Sequence, residues 1–256
     1  PGENPWIAAA FVAAGLLMGV VAFQHAKRHP HPLIDVSTLK IPTFSVTVVT
    51  GSFTRIGIGA VPYLMPLLFQ VGFGLSAFKS GLLLLASAVG NLGMKALTTR
   101  ILQRYGFRMV SIVDVTVAGI FIIACGLLTP NVPLPWTLIV VFVYGVARSM
   151  QFSTLATLAY ADVAQPQMSG ASTLWSAAAQ MTIGLGIAFG AVSLRAAAFF
   201  NGEFTGRVFT LDDFRLAFLF AGVLTLVSVT GYLGLARNAG QSIGGGSRGT
   251  EGPAKG

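Results

Sequence analysis

The sequence predicts an all-α membrane protein of seven transmembrane helices. Three observations carry that prediction. Of its 256 residues, 54% are hydrophobic and only 9% are charged, whereas a soluble domain carries about 25% charged residues. The apolar residues are gathered into long runs separated by short polar stretches. Most of the basic residues fall between those runs, and ten of the sixteen fall on one side. The composition excludes a water-soluble globule. It also excludes a disordered chain, which needs low hydrophobicity and high net charge.

Each run is about as long as the roughly 20 mostly apolar residues that a helix needs to cross the bilayer. Backbone groups in lipid must be bonded internally, and the runs lack the alternation of barrel strands, so they are read as helices. The first, Pro5–Phe23, carries Gly15 and Gly19 at a spacing that permits close helix approach. The second, Phe44–Gln70, contains Arg55, Tyr63 and two prolines, Pro62 and Pro66, each of which removes a backbone donor. The third, Ala77–Leu97, contains Asn91. The fourth, Val110–Leu128, ends in the turn Leu128-Thr129-Pro130-Asn131-Val132-Pro133. The fifth, Pro135–Ala159, places Tyr144, Arg148 and Gln151 on one stripe at helical spacing. The sixth, Gly170–Leu194, has Ser172, Ser176 and Gln180 on one face, followed by Gly184, Gly186 and Gly190. The seventh is Phe214–Ala236. The longest outer loop is expected from Arg195 to Asp213. The Gly/Ser-rich tail after Arg237 is expected to be disordered.

Seven crossings place the termini on opposite sides, and the distribution of Lys and Arg decides which is which. One side carries ten cations: Lys27, Arg28, Lys40, Lys95, Arg100, Arg104, Arg108, Arg237, Arg248 and Lys255. The other carries four: Lys79, Arg195, Arg207 and Arg215. The ten-cation side is expected to be cytoplasmic, with the N-terminus outside and the tail inside. The net charge of +8 then reflects topology and anionic headgroups, not a nucleic-acid partner. The chain does not begin with Met and is expected to start within a longer protein.

The remaining two cations lie inside spans. Arg55 is about 16 Å into the second span at 1.5 Å per residue, and Arg148 is at similar depth in the fifth. A charge at the bilayer centre costs at least about 2.5–3.5 kcal/mol, so such a residue turns toward the bundle interior or a wet cavity. Arg55 and Arg148 are therefore candidate substrate-pathway residues; the competing reading is that each locks the bundle through a partner. Tyr144 and Gln151 extend the polar stripe of Arg148. Tyr63, Asn91 and Gln180 are further pathway candidates, with helix packing as their alternative. The acids Asp114 and Asp162 fall near cytoplasmic span ends, so no proton carrier can be named from this stretch alone.

Several chemistries are disfavoured. The single cysteine, Cys125, excludes a disulfide framework and a cysteine zinc site. His25, His29 and His31 sit among Lys27, Arg28, Pro30 and Pro32, which suits a solvated loop better than a metal site. There is no phosphate-cradling Gly-rich loop, and no cofactor is expected. Enzymatic activity is not expected.

The stretch His31-Pro32-Leu33-Ile34-Asp35 ahead of a span resembles the cytoplasmic lead-in of the 14-helix EmrB/QacA drug:proton antiporter family of the major facilitator superfamily. Gly93-Met94-Lys95 through Arg104-Tyr105-Gly106-Phe107-Arg108 resembles that family's basic loop between the second and third helices of a half. Ser52-Phe53-Thr54-Arg55-Ile56-Gly57, followed by Pro62, Pro66 and Gln70, is most similar to its MdtD-type branch.

The resemblance, which covers Trp6 to about Ala236, implies an organisation. Residues 1–24 would be the last linker transmembrane helix, 25–43 a cytoplasmic basic loop, 44–236 the C-terminal six-helix half, and 237–256 the cytoplasmic tail. An N-terminal half of the same chain would be the missing partner. The spans with Arg55 and Arg148 would be partners in two inverted three-helix repeats and would line the central cavity. Arg100, Arg104, Gly106 and Arg108 would form a cytoplasmic gating loop. Gln103 stands where the family usually has an acid. The implied activity is proton-coupled efflux of drugs or small organic compounds by alternating access, in a bacterial cytoplasmic membrane. Export of a small organic anion or its metal chelate is one alternative, and a non-transporting scaffold or sensor is another.

Overall fold

The computed structural model describes residues 36–202 and 208–235, together with Ala14, Gly15, Leu17, Met18, Val20, Val21 and Gln24. The first predicted span, the three histidines and the tail lie outside these residues, save for those few positions. A 3-10 turn at Val36–Lys40 leads into α1 (Pro42–Leu67). Then come α2 (Ala77–Tyr105), α3 (Phe107–Gly126), α4 (Leu134–Tyr160), α5 (Met168–Phe200) and α6 (Leu211–Val227). A short helix, α7 (Val229–Leu233), continues α6. Among the described residues six helical segments are long and apolar enough to cross a membrane, and each overlaps one of the last six predicted runs; α2 continues past Leu97 to Tyr105, through the stretch expected to be basic loop.

Local chemistry explains the ends. Pro42 and Pro135 sit in the first turns of α1 and α4, where a missing N–H costs nothing. Ser76 caps α2 by accepting from the Lys79 N–H. On α6, the Asp213 carboxylate accepts from the Thr210 N–H at 2.8 Å, half of a reciprocal capping box. The α2–α3 turn is a single residue, Gly106, at φ +75°, a conformation that glycine adopts without steric cost. The α5 helix runs on to Phe200 rather than ending near Leu194, so the outer loop is shorter than the sequence suggests.

The helices are interleaved. α1 packs chiefly on α5 and α6, whereas α4 packs chiefly on α2 and α3; α3 meets α6, and α1 meets α4. Exchanging α1-α2-α3 for α4-α5-α6 maps these principal contacts onto one another. Glycine makes the two cross-repeat seams possible. Gly59 on α1 faces Gly186 on α5, and a Cβ on Gly186 would lie 2.8 Å from the Gly59 Cα. On the other seam, a Cβ on Gly90 of α2 would lie 2.4 Å from the Phe142 carbonyl oxygen of α4. The main apolar core joins Ile58 and Leu64 of α1, and Leu68 in the π-helical turn Leu68–Gly72 that continues it, to Ile122 of α3, Val141 of α4 and Phe214 and Phe218 of α6. The second helix of each repeat is the least covered. Half of the most apolar stretch of α1 is buried, against 11% for α2 and 28% for α5.

Candidate functional site

The prolines of α1 shape the site. Pro62 has no N–H, so the Ile58 carbonyl one turn earlier loses its intrahelical donor. The Tyr144 hydroxyl of α4 donates to that carbonyl at 3.0 Å. The sequence shows the freed acceptor; the structure supplies its donor from another helix. Tyr144→Phe removes only that hydroxyl and leaves a buried carbonyl unsatisfied, which costs about 1–3 kcal/mol. The variant is expected to unfold at lower temperature than the parent in the same detergent. An unchanged midpoint would show that the bond contributes nothing.

Beside this bond lies a cavity of about 480 Å³ between α1, α2 and α4. Val61, Pro62, Met65 and Pro66 form its α1 wall, and Ser87, Asn91 and neighbouring apolar residues its α2 wall. Tyr144 and Arg148 supply the α4 wall. Three of the predicted pathway residues, Asn91, Tyr144 and Arg148, are thus brought together. Arg148 is partly buried, and its guanidinium carbon lies 5.9 Å from the Phe152 ring centroid. Among the described residues no carboxylate reaches it within ion-pair distance. The wall near Asn91 is fixed through its backbone, whose carbonyl accepts from the Ser149 hydroxyl at 2.7 Å.

Arg55 is in a different place. It is 1% exposed and is the largest fully buried side chain among the described residues. Its guanidinium carbon lies 4.7 Å from the Trp175 ring centroid on α5, and that ring meets Tyr160 at 6.0 Å. Its Nε and both terminal nitrogens have no hydrogen-bond partner. The positive charge therefore rests on the Trp175 ring, an attraction of about 2 kcal/mol when desolvated. That is less than the cost of burying an unpaired ion.

Gln151 also departs from the stripe. It is fully buried and donates through Nε2 to the Tyr232 hydroxyl at 3.0 Å. Tyr232 is 3.1 Å from the Thr54 hydroxyl, which is 2.7 Å from that of Ser228. This polar knot ties α1, α4 and α7 together. Sequence reasoning missed Thr54, Trp175, Ser228 and Tyr232. The signal was there for Thr54, one position before the buried arginine, but nothing in one helix names its partners on another.

The other candidates lie elsewhere. Tyr63 is half-buried against the main core and does not line the cavity. Gln180 is exposed on α5, as are Ser172 and Ser176, so this stripe faces away from the bundle. The expected gating loop is reduced to Gly106: Arg100 and Arg104 lie on the last turns of α2 and Arg108 on the first turn of α3, and Arg100 is exposed. The Arg104 guanidinium carbon lies 5.6 Å from the Tyr105 ring centroid, and Gly106 makes the turn. Arg108 donates to the Leu233 carbonyl at 2.8 Å, a cation at a helix C-terminus, where the dipole favours it.

No family model matches the chain. Curated proteins do. The MdtD protein of Pectobacterium carotovorum subsp. carotovorum, named for multidrug resistance, is 31% identical over 194 residues, which are 75% of this chain and 41% of that protein. The MdtD protein of Citrobacter koseri is 28% identical over 190 residues, 73% of this chain and 40% of its own length. The HsrA protein of Haemophilus influenzae, named as a transport protein, is 30% identical over 192 residues, 75% of this chain and 42% of its own. The chain spans about two fifths of the length of the curated relatives it matches. The resemblance to MdtD-type proteins read from the residues is thereby shown as homology.

Proposed function

We propose that the described helices are the C-terminal six-helix half of a secondary active transporter in a bacterial cytoplasmic membrane. The observation that carries this reading is the cavity of about 480 Å³ set among six membrane-length helices, whose largely apolar wall carries Asn91, Tyr144 and Arg148. The names of the homologues point the same way. The half works by alternating access with an N-terminal half, and proton influx drives export of a small organic compound. Residues 1–24 form the preceding linker helix, with their start outside; the cytoplasmic loop expected over 25–43 ends at Ile41, since α1 begins at Pro42; and 237–256 form a cytoplasmic tail. Two features support a protein partner along α2 and α5: the low burial of both helices, and the exposed hydroxyl and amide stripe of Ser172, Ser176 and Gln180. Such a stripe suits protein or water better than acyl chains.

Arg148, with no paired carboxylate among the described residues, favours a second reading in which the exported compound is a small organic anion. One experiment tests both. The full-length protein is reconstituted into vesicles that hold a proton gradient and a pH-sensitive dye. Ethidium discharging the gradient supports drug export, and citrate discharging it supports anion export. If neither moves protons or is itself transported, while a control carrier in parallel vesicles is active, the transport reading fails.

A further inference from the structure

A smaller pocket of about 180 Å³ lies beside the same α2/α4 seam, toward the other end of the two helices. Its lining is mostly polar: Lys95, Thr98, Thr99 and Gln103 come from α2, and Ser153 and Thr157 from α4. No carboxylate lines it. Helical spacing explains the shared face. The Ser149 hydroxyl of α4 is bonded to the Asn91 carbonyl of α2, and Ser153 and Lys95 stand one turn further along each helix, on the same sides. Thr98 and Thr157 donate their hydroxyls to the Met94 and Ser153 carbonyls, each at 2.9 Å. The side chains of Lys95, Thr99, Gln103 and Ser153 have no hydrogen-bond or ion-pair partner among the described residues. The pocket therefore gathers one cation and three unengaged hydroxyl and amide donors, with no negative group in its lining.

Depth narrows what it can hold. Lys95 lies about 15 Å along the axis before the end of α2 at Tyr105, and Gln103 about 3 Å before it. α2 has 29 residues and is about 43 Å long, against a hydrocarbon core of about 30 Å. Each end then projects roughly 6 Å, so the pocket straddles the boundary between acyl chains and headgroups. A lysine there reaches toward the phosphate layer, and Arg100 and Arg104 on the same turns of α2 add positive potential. A phosphate group offers oxygens in several directions and can accept from two helices at once, with lysine as its point charge. The volume is below the range of drug-sized sites and suits a phosphate with a short headgroup.

We propose that this pocket binds a phosphate group, with Lys95 as its counter-charge and Thr99, Gln103 and Ser153 as its hydrogen-bond donors. The group belongs to an anionic phospholipid or to a phosphate dissolved on the same side, and the test separates the two. The site does not depend on the transport reading. Delipidated full-length protein is titrated with dioleoylphosphatidylglycerol, read by native mass spectrometry, and with radiolabelled inorganic phosphate, read by equilibrium dialysis. The parent is expected to bind one of them saturably. Binding of the lipid at far lower concentration assigns a headgroup, and the reverse order assigns dissolved phosphate. Lys95→Gln is expected to weaken binding by about tenfold or more, as loss of a charge-assisted hydrogen bond does. Ser153→Ala, on the opposite helix, is expected to weaken it roughly threefold, which a lysine merely reaching for bulk headgroups would not produce. Lys79→Gln, which removes the same charge at the other end of α2, is expected to bind as the parent does. Equal affinity in Lys95→Gln overturns the proposal, as does an equal loss in Lys79→Gln or no saturable binding of either probe. Should Lys95→Gln fold poorly, parent affinity in a well-folded Ser153→Ala overturns it instead.

Discussion

Arg148→Ala abolishes transport while leaving the protein folded; that is the expected result of measuring flux and melting on the same preparation. The side chain stands in the wall of the 480 Å³ cavity, partly buried, on the helix that also donates the Tyr144 bond. It has no carboxylate partner among the described residues. Its loss therefore strands no counter-charge among the described residues. The cost to stability is the contact with Phe152, about 0.5–1 kcal/mol for a cation over a ring at a partly exposed site. Substrate recognition loses the one charge on the cavity wall. A normally expressed Arg148→Ala protein with full flux would sink the assignment. A variant that loses both flux and melting transition would mean that Arg148 holds the bundle together instead.

Gly145→Val is expected to prevent folding altogether. A Cβ on Gly145 would lie 2.1 Å from the Ser87 carbonyl oxygen and 2.7 Å from its Cα. Those atoms are backbone of the facing helix and have no rotamer to change. The α2/α4 seam would have to part, and Tyr144 and Arg148, which flank Gly145 on the same helix, would leave the cavity wall with it. Overpacking a core side chain typically costs about 1–3 kcal/mol, and a backbone collision exceeds that because nothing can rotate away. Gly81→Ala on the same α2 helix is the control. Nothing lies within 4 Å of the added methyl, so it should be neutral or stabilise by up to about 1 kcal/mol through helix propensity. Fluorescence-detected size exclusion reads both. A monodisperse Gly145→Val peak melting with the parent would refute the seam as described.

The sequence made the spans readable because membrane length is a physical threshold that an apolar run either meets or does not. It was weaker on direction. Ser172, Ser176 and Gln180 share one face by spacing alone, yet spacing cannot say whether that face looks inward or out. The structure turns it outward. Tyr144, Arg148 and Gln151 share a stripe too, but the cavity wall takes the first two while Gln151 is drawn into the Tyr232 knot. Their partners sit on helices far along the chain, and one sequence carries no trace of that pairing. Asp114 illustrates a different gap. Its position along α3 was plain, and its near-complete burial was not.

The glycine seams have a mechanical consequence. Side-chain interfaces yield by rotamer exchange, so two helices can creep past each other in small steps. Where Gly59 meets Gly186 and Gly90 meets α4, the surfaces in contact are main chain, and there is no soft layer to shear. Each cross-repeat pair, α1 with α5 and α4 with α2, therefore transmits load like a welded strut. Compliance is left to the polar knot and to the Tyr144–Ile58 bond, where α1 and α4 meet through hydroxyls that can exchange partners. The cavity wall takes one face from each pair, α1 from the first and α2 with α4 from the second.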